Sequence, residues 1–233
     1  MGEYFGEDVA ARYDDGSPSA DDAVEFLAGL AGGGRALELA IGTGRVAVPL
    51  AARGVEVAGM DASEAMLARL RAKTDAIEAV HGDMTTTRLP GTFRLAYLVF
   101  NTINNLTTQE GQTAAFVNAA AHLEPGGVFV VEVGVPDLRR LPPGQDAVPF
   151  TVTQDRLGFD TYDTGTQEMW SHHAWRDGDV WRYASLPFRY VWPSELDLMA
   201  QVAGMRLRER YAGWRREPFT AESRSHVSVY EKR

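Results

Sequence analysis

The chain lacks cysteine altogether, and this absence excludes disulfides, thiol nucleophiles and cysteine-ligated metals. Lysine is almost as scarce, because Lys73 and Lys232 are the only lysines among 23 basic residues. No apolar run approaches the roughly 18 residues of a membrane-spanning helix, and the first residues carry neither a basic segment nor an apolar one. We therefore expect a cytoplasmic protein with no membrane partner.

Acidic residues outnumber basic ones, 32 against 23, which gives a net charge of -9. Such a field repels a phosphate backbone, so nucleic acid is not expected as a partner. Histidines and carboxylates show no metal-ligand spacing, so no metal site is expected either. The remaining composition, 45% hydrophobic and 24% charged residues over 233 positions, is typical of one folded domain or of one domain with a large insertion.

Short apolar segments with the length of strands occur along the chain, and segments with helical periodicity lie between many of them. The predicted strands are 36–40, 55–60, 77–81, 95–101, 128–133, 205–211 and 226–230. The predicted helices are 21–30, 44–53, 63–73, 108–123 and 193–204. This alternation predicts an α/β fold, in which a seven-stranded, mostly parallel sheet carries helices on both faces.

The alternation stops after Val135. Residues 136–191 lack helical periodicity and are rich in aromatic residues and turn pairs, with Asp177-Gly178 as the strongest hairpin signal. We expect an antiparallel β insertion there, after the fifth strand. The predicted segments are an N-terminal arm with the first helix (1–34), the core of the parallel sheet (35–135), the insertion (136–191), and a C-terminal helix with the closing strands (192–233).

A glycine-rich turn, residues 38–44 (ELAIGTG), follows the first strand. Glycines at a strand-to-helix turn let the backbone approach a ligand closely, and the helix start offers free N–H groups. Asp61 ends the second strand and faces the same crevice, where it can accept both hydroxyls of a ribose. Because Gly42-x-Gly44-x-x-Ala47 with a downstream acid also fits the NAD pattern, the turn alone indicates an adenosine-type cofactor and no more.

Three features favour S-adenosylmethionine (SAM) over NAD. Glu38 lies inside the strand end, where a carboxylate suits an ammonium and a sulfonium but opposes the pyrophosphate of NAD. Asp83 closes the third strand and can accept the exocyclic N–H of adenine, while the backbone N–H of Met84 serves a ring nitrogen. Neither lysine has a tyrosine four positions upstream, so the Tyr-x-x-x-Lys pair of many hydride-transfer enzymes is absent.

In order and spacing, five segments resemble the class I SAM-dependent methyltransferases. They are 37–45 (LELAIGTGR), 57–67 (VAGMDASEAML), 80–84 (VHGDM), 95–106 (LAYLVFNTINNL) and 123–133 (LEPGGVFVVEV). Ala40 stands where the family commonly has its first glycine. The resemblance implies a Rossmann-like fold, a methyltransferase activity, and SAM as the cofactor of residues 35–135, with S-adenosylhomocysteine as product.

The resemblance also implies roles in cofactor binding. Gly42 and Gly44 make room for the methionine and ribose portions, and Asp61 holds the ribose hydroxyls. Asp83 with Met84 holds adenine, whereas Met66 is either an adenine contact or a core residue. The full set of expected cofactor-binding residues is Tyr13, Glu38, Ala40, Gly42, Thr43, Gly44, Asp61, Ala62, Met66, Gly82, Asp83, Met84, Phe100 and Asn101.

The N-terminal pattern Tyr4-Phe5-x7-Tyr13-Asp14 is similar to an arm that folds over the cofactor in small-molecule members of the family. Those members include the amino-sugar N-methyltransferases of natural-product pathways. In that interpretation Tyr13 caps the methionine end of SAM. Without it, Tyr13 is an ordinary tyrosine of an amphipathic helix.

The insertion follows the fifth strand, next to the crevice in which the methyl group is exposed. Insertions of this kind resemble a substrate lid or a homodimer surface, and the aromatic residues here fit either. His172 and His173 are the candidate catalytic bases. At most one of them faces the site, because neighbours on a strand point to opposite faces.

Methyl transfer from a sulfonium is an in-line displacement, so alignment and desolvation supply most of the catalysis. An amine that arrives neutral needs no base, whereas a hydroxyl usually needs one. We therefore predict methyl transfer to a nitrogen or oxygen atom of a small molecule. Two alternatives stay open, an NAD(P)-binding oxidoreductase and a non-catalytic SAM-binding or dimeric scaffold domain.

Overall fold

The computed structural model describes residues 6–11, 13–15 and 19–233. The strands in this part of the chain are β1 (Ala36–Leu39), β2 (Val57–Asp61), β3 (Glu78–His81), β4 (Phe93–Leu98), β5 (Leu123–Gly134), β6 (Ala147–Val152), β7 (Arg156–Tyr162), β8 (Glu168–Asp177), β9 (Val180–Arg189), β10 (Met205–Tyr211) and β11 (Ser225–Lys232). The α-helices are α1 (Glu7–Ala10), α2 (Asp21–Ala31), α3 (Ala47–Ala52), α4 (Glu64–Lys73), α5 (Gln109–His122) and α6 (Pro193–Val202). Two short 3-10 helices cover Thr102–Asn105 and Leu138–Arg140.

The larger sheet has seven strands in the order β10-β11-β5-β4-β1-β2-β3. The pairs among β1 to β5 are parallel, and β11 runs antiparallel to both β5 and β10. Helices cover both faces. Phe116 of α5 shares a buried cluster with Leu37 on one face, and Leu27 of α2 shares another with Tyr97 on the opposite face. The predicted α/β class, with a mostly parallel seven-stranded sheet, is confirmed.

The second sheet is the antiparallel insertion, with strand order β6-β7-β8-β9. Its last hairpin turns at Gly178-Asp179, one residue later than the predicted pair Asp177-Gly178, because Asp177 pairs with Val180. Gly178 has φ of 62° and therefore takes the first loop position, which needs a left-handed backbone. The insertion thus follows the fifth strand, as predicted.

A buried polar network joins the insertion to the helices. The guanidinium of Arg189, at the end of β9, donates to Gln112 of α5 and to Glu195 of α6. Gln167, just before β8, also donates to Glu195, at 2.8 Å. The Arg189–Glu195 ion pair is nearly inaccessible to water, with side-chain exposures of 7% and 13%. This network fixes the base of the insertion over the carboxyl ends of the parallel strands.

Candidate active site

The loop between β1 and α3 has a left-handed backbone at Ala40, Gly42 and Gly44, with φ of 56°, 57° and 79°. These conformations delay the helix, which begins at Ala47 rather than at the predicted Gly44. A side chain at position 44 would also collide with α4, since an added Cβ lies 2.4 Å from Cδ1 of Leu70. Gly44 is therefore required by both the backbone and the packing.

Asp61 ends β2 and holds the glycine loop and the start of α4. Its Oδ2 accepts from the backbone N–H of Gly42 and its Oδ1 from that of Ser63, both at 2.8 Å. Burial raises the pKa of this carboxyl, and the two N–H donors oppose the rise. Each carboxylate oxygen has a second lone pair, so Asp61 can still accept two ligand hydroxyls.

A first cavity, the β2–β3 cavity, lies between the glycine loop and the ends of β2 and β3. It brings together most of the residues predicted to hold adenosine. Oδ1 of Asp83 accepts from both the N–H and the hydroxyl of Thr85 at 2.7 Å, which fixes the carboxylate at the rim. Met66 is buried in the wall and so belongs to both the cavity and the core. The predicted residues that line this cavity are Tyr13, Ala40, Gly42, Asp61, Ala62, Met66, Gly82, Asp83 and Met84.

A second cavity, the β1–α3 cavity, lies on the other side of the glycine loop, and Glu38 is its buried carboxyl. The phenol of Tyr97 donates to Oε2 of Glu38 at 2.9 Å. Burial raises the pKa of Glu38 to about 8, and the hydrogen bond from Tyr97 opposes the rise. The predicted residues that line this cavity are Tyr13, Glu38, Ala40, Gly42, Thr43 and Phe100.

Arg45 lines the same cavity and was not among the residues predicted from the sequence. Its guanidinium carbon lies 3.6 Å from the ring centre of Phe100 and 5.9 Å from that of Tyr13. Its Nε is buried and has no hydrogen-bond partner among the described residues. One sequence signal could have indicated Arg45: it directly follows the last glycine of the turn, where a helix start would place an arginine beside a bound anion.

Residues 13–15 lie against the glycine loop, where Asp14 fastens them. One carboxylate oxygen accepts from the hydroxyl of Thr43 and the other from Nζ of Lys73, both at 2.7 Å. Burial alone would raise the pKa of Asp14, but these hydrogen bonds lower it below its usual value. Tyr13, the adjacent residue, consequently lies over the site. The predicted Tyr4-Phe5 part of the arm lies outside the described residues.

The chain leaves β4 through two residues with a left-handed backbone, Phe100 (φ 56°) and Asn101 (φ 61°). The strand therefore ends at Leu98 and not at the predicted Asn101. Contacts with β5 hold this bend, since Glu132 accepts from the N–H of Phe100 at 2.9 Å and Asn101 accepts from Gly134 at 2.6 Å. The bend turns Phe100 toward Arg45.

The third cavity, the insertion cavity, has a volume of about 550 Å³ and lies between the insertion sheet and the ends of β4 and β5. It meets the other two cavities at Tyr13 and Thr102, which line all three. His173 lies on the inner face of the sheet and lines this cavity. His172 lies on the outer face, where its Nδ1 contacts Ser185 and Tyr183 and its ring stacks on Phe159. The expectation that at most one histidine faces the site fits this arrangement.

Within the described part of the chain, no group of three or more histidines and carboxylates could hold a metal ion. No described helix has both the length and the apolar composition needed to cross a membrane.

Comparisons with known proteins identify the family. Residues 36–127 match a family model described as a methyltransferase domain. The chain is 36% identical to the CcbJ methyltransferase from Streptomyces caelestis, with a TM-score of 0.87 and coverage of 98% of this chain and 97% of that one.

Two more distant relatives extend this likeness. The cypemycin N-terminal methyltransferase of a Streptomyces species is 28% identical over 84% of this chain and 82% of its own length. The SAM-bound structure of CalS10 from Micromonospora echinaspora, an amino pentose methyltransferase, shares the fold at 24% identity, with a TM-score of 0.73 and coverage of 96% and 95%. The chain therefore belongs to the class I SAM-dependent methyltransferases, and SAM is its cofactor.

Proposed function

We propose that this enzyme transfers the methyl group of SAM to a nitrogen atom of a small-molecule amine, which enters through the insertion cavity. The observation that carries the proposal is the junction of three cavities at Tyr13 and Thr102. Two of these cavities suit the two ends of SAM, and the third leads from the same point toward the insertion. A methyl group held at the junction would face an acceptor in the insertion cavity.

In this proposal the β2–β3 cavity holds the adenosine portion. The free lone pairs of Asp61 accept the ribose hydroxyls, which are hydrogen bonds to an ionised group. Asp83 accepts the exocyclic N–H of adenine, and the backbone N–H of Met84 donates to the ring. Ala62 and Met66 supply the apolar walls against which the base packs.

The β1–α3 cavity would hold the methionine portion, and its charges fit that group. Glu38 provides a carboxylate for the ammonium. Arg45 provides a guanidinium for the carboxylate, and its buried Nε would gain the partner that it lacks among the described residues. Thr43 and its neighbouring glycines bring the loop backbone close to both groups.

SAM, when bound, supplies an electrophilic methyl group on a positively charged sulfur. The residues at the junction act by holding the acceptor in line and by excluding water. The side chains that would enclose the methyl group at the junction are Tyr13, Phe100 and Thr102. The attacking nitrogen must carry a free lone pair, so the amine binds in its neutral form at that end.

A nitrogen acceptor is favoured over a hydroxyl by the groups at the junction. Besides Tyr13 and Thr102, the insertion cavity shares Phe100 with the β1–α3 cavity and Asn105 with the β2–β3 cavity, and none of these four side chains is a base at neutral pH. Burial raises the pKa of Tyr13 further above its usual value. Among the relatives described above, one is named an N-terminal methyltransferase and one an amino pentose methyltransferase.

We also infer that the outer face of the insertion pairs with a second copy of the chain. Alternate residues of β7, β8 and β9 form this face, and its aromatic side chains are exposed, with Trp181 at 48% and Tyr183 at 63%. A contiguous apolar surface of this kind marks an interaction site. The outer-face residues concerned are Leu157, Phe159, Trp170, Trp181 and Tyr183.

The choice between nitrogen and oxygen is tested with matched acceptors. Primary amines, each paired with the alcohol of the same carbon skeleton, are incubated with the enzyme and SAM. S-adenosylhomocysteine and methylated product are quantified by mass spectrometry. We expect methylated amines in one-to-one ratio with S-adenosylhomocysteine. Methylation of the alcohols, or of no amine at all, would contradict the proposal.

A further inference from the structure

The inner face of the insertion carries a polar cluster that the proposed methyl transfer does not use. Asp160 of β7 and Ser171 of β8 are directly opposite each other across the strand pair, and His173 follows on the same face. Ser171 is buried, with 8% of its surface exposed. All three residues line the insertion cavity, and none of them lines either of the other two cavities.

Hydrogen bonds join these three side chains into one unit. Ser171 lies opposite Asp160 in the strand register, and its hydroxyl opposes the rise that burial causes in the pKa of that carboxyl; its oxygen lies 3.1 Å from Nε2 of His173. A carboxylate can only accept, so Ser171 donates its single proton to Asp160 and accepts from Nε2–H of His173. The phenol of Tyr162, on the same face, also donates to Oδ2 of Asp160, at 3.5 Å, so the carboxylate of Asp160 is the acceptor that the cluster presents to a ligand.

Apolar side chains of the insertion also line the cavity near the cluster. The ring of Phe150 lies against Gly158, where an added Cβ would collide with it, and it is tilted by 59° to the ring of His173 at 5.4 Å between ring centres. Met169, Leu186 and Phe188 line the same face. Such walls suit the hydrocarbon body of a ligand, and the aromatic rings also suit a cation.

The charges of the residues that line the cavity indicate which charge its ligand carries. On the inner face of the insertion Asp160 supplies a carboxylate to this cavity, and none of the described lining residues is a lysine or an arginine. A diphosphate or carboxylate ligand would find no cation among them. An ammonium group would instead balance a partly buried carboxylate, which is costly to keep without a counter-charge.

We propose that Asp160, held in place by Ser171 and His173, binds an ammonium group of the acceptor at a point remote from the nitrogen that is methylated. The preferred acceptor is then an apolar molecule with two amino groups, one neutral at the junction and one charged at Asp160. This inference rests on the proposed amine methylation and adds to it the chemical class of the acceptor. It also disfavours nucleotide-linked acceptors.

Linear α,ω-diaminoalkanes test this placement, because their length measures the separation of the two sites. Initial rates of methylation are compared with those of 1-aminoalkanes of the same carbon number. For the wild-type enzyme we expect kcat/KM of the best diamine to exceed that of its monoamine on the order of tenfold, with a clear optimum in chain length. In the Asp160→Asn variant the ratio falls to about one and the optimum disappears.

Two controls separate this effect from others. Asp179→Asn removes the same charge from the fully exposed hairpin turn of the insertion and retains the wild-type ratio. The melting temperature and S-adenosylhomocysteine affinity of Asp160→Asn show that the fold and cofactor site persist. Thymidine diphosphate, added as a competitor, is expected not to inhibit.

The possible failures are distinguishable. If no amine is methylated, the proposed function itself is wrong. If monoamines and diamines are methylated equally well by the wild type, or if Asp160→Asn keeps the diamine preference, the function stands and the ammonium site is overturned. Inhibition by thymidine diphosphate would likewise overturn the charge argument.

Discussion

Glu38 and Asp61 are two carboxyl groups of one site whose surroundings differ in hydrogen-bond donors. Asp61 receives two backbone N–H groups at 2.8 Å, which favour its ionised form. Glu38 is fully buried and receives the phenol of Tyr97. Burial therefore dominates at Glu38, and its pKa of about 8 makes it the residue of the site that responds to pH near neutrality.

The affinity for SAM is expected to depend on pH through Glu38. The folded carboxyl has a pKa of about 8 against an ordinary value of 4.5, so between these pH values it ionises in the unfolded chain but not in the folded one, and the stability of the cofactor-free protein falls as the pH rises. The ammonium of SAM favours the ionised carboxylate, so binding releases a proton. Below pH 8, the affinity for SAM is therefore expected to increase by up to about tenfold for each unit by which the pH rises. Calorimetric titrations between about pH 6 and 9 measure this. Glu38→Gln should flatten the profile, and an unchanged slope in that variant would remove Glu38 from the account.

Asp61→Ala is expected to weaken SAM binding about ten- to a hundredfold, because two hydrogen bonds to an ionised acceptor are lost. Calorimetry on the folded variant measures the change. Asp75→Ala, an exposed substitution after α4, serves as the control and should bind like the wild type. Wild-type affinity in a folded Asp61→Ala protein would refute the ribose assignment.

At the scale of elements, local sequence patterns predicted the strands and helices but not where some of them end. The end of β4 at Leu98 depends on Phe100 and Asn101, which adopt left-handed conformations without being glycine. Their bend is held by Glu132 and Gly134, more than thirty residues further along the chain. Contacts of this range leave no local signal, so periodicity extended the strand too far.

Residues 13–15 are held on the glycine loop by the contact between Asp14 and Lys73, and a substitution can test this anchor. Lys73→Met removes the Nζ that contacts both Asp14 and the carbonyl of Thr43. We expect Tyr13 to be held less firmly and the Kd for SAM to rise on the order of tenfold, with faster dissociation, in stopped-flow measurements. Lys232→Met is the matched control, since the second lysine donates to Leu123 at the far end of β5. Equal effects of the two substitutions would contradict the anchor.

The ion pair at the base of the insertion is expected to dominate the attachment of that element. Glu195→Ala leaves Arg189 as an unpaired buried charge, which typically costs about 3–5 kcal/mol of unfolding free energy. Arg182→Ala breaks an exposed pair with Asp177 in the same sheet and should cost less than about 1 kcal/mol. Chemical denaturation measures both values. Similar losses for the two variants would show that the buried network does not hold the insertion.

At the scale of the whole molecule, the outer face of the insertion is expected to form a homodimer. Trp181→Glu places a charge in the exposed aromatic surface and should convert dimers to monomers in multi-angle light scattering. Val202→Glu changes an exposed apolar residue on α6, away from this face, and should leave the dimer intact. A monomeric wild type, or a dimeric Trp181→Glu variant, would contradict this assembly.

The sequence sufficed for the α/β architecture and for the position of the insertion. It also predicted SAM as the cofactor, from three features beside the glycine-rich turn and from the resemblance to class I methyltransferases, and the comparisons with known proteins confirm this prediction. The insertion cavity could not be predicted from the sequence, because Asp160 and His173 come to lie on one face, and His172 on the other, only through the register of β7 and β8. Arg45 was missed because its role depends on the bend at Phe100, which comes from distant contacts.

We place the methyl group of SAM where the three cavities meet, and a crystal structure with S-adenosylhomocysteine tests this placement most directly. We expect adenine beside Asp83, the ribose on Asp61, the amino-acid end between Glu38 and Arg45, and the sulfur beside Tyr13 and Thr102, open to the insertion cavity. A sulfur facing bulk solvent, or one separated from the insertion cavity by protein, would contradict it.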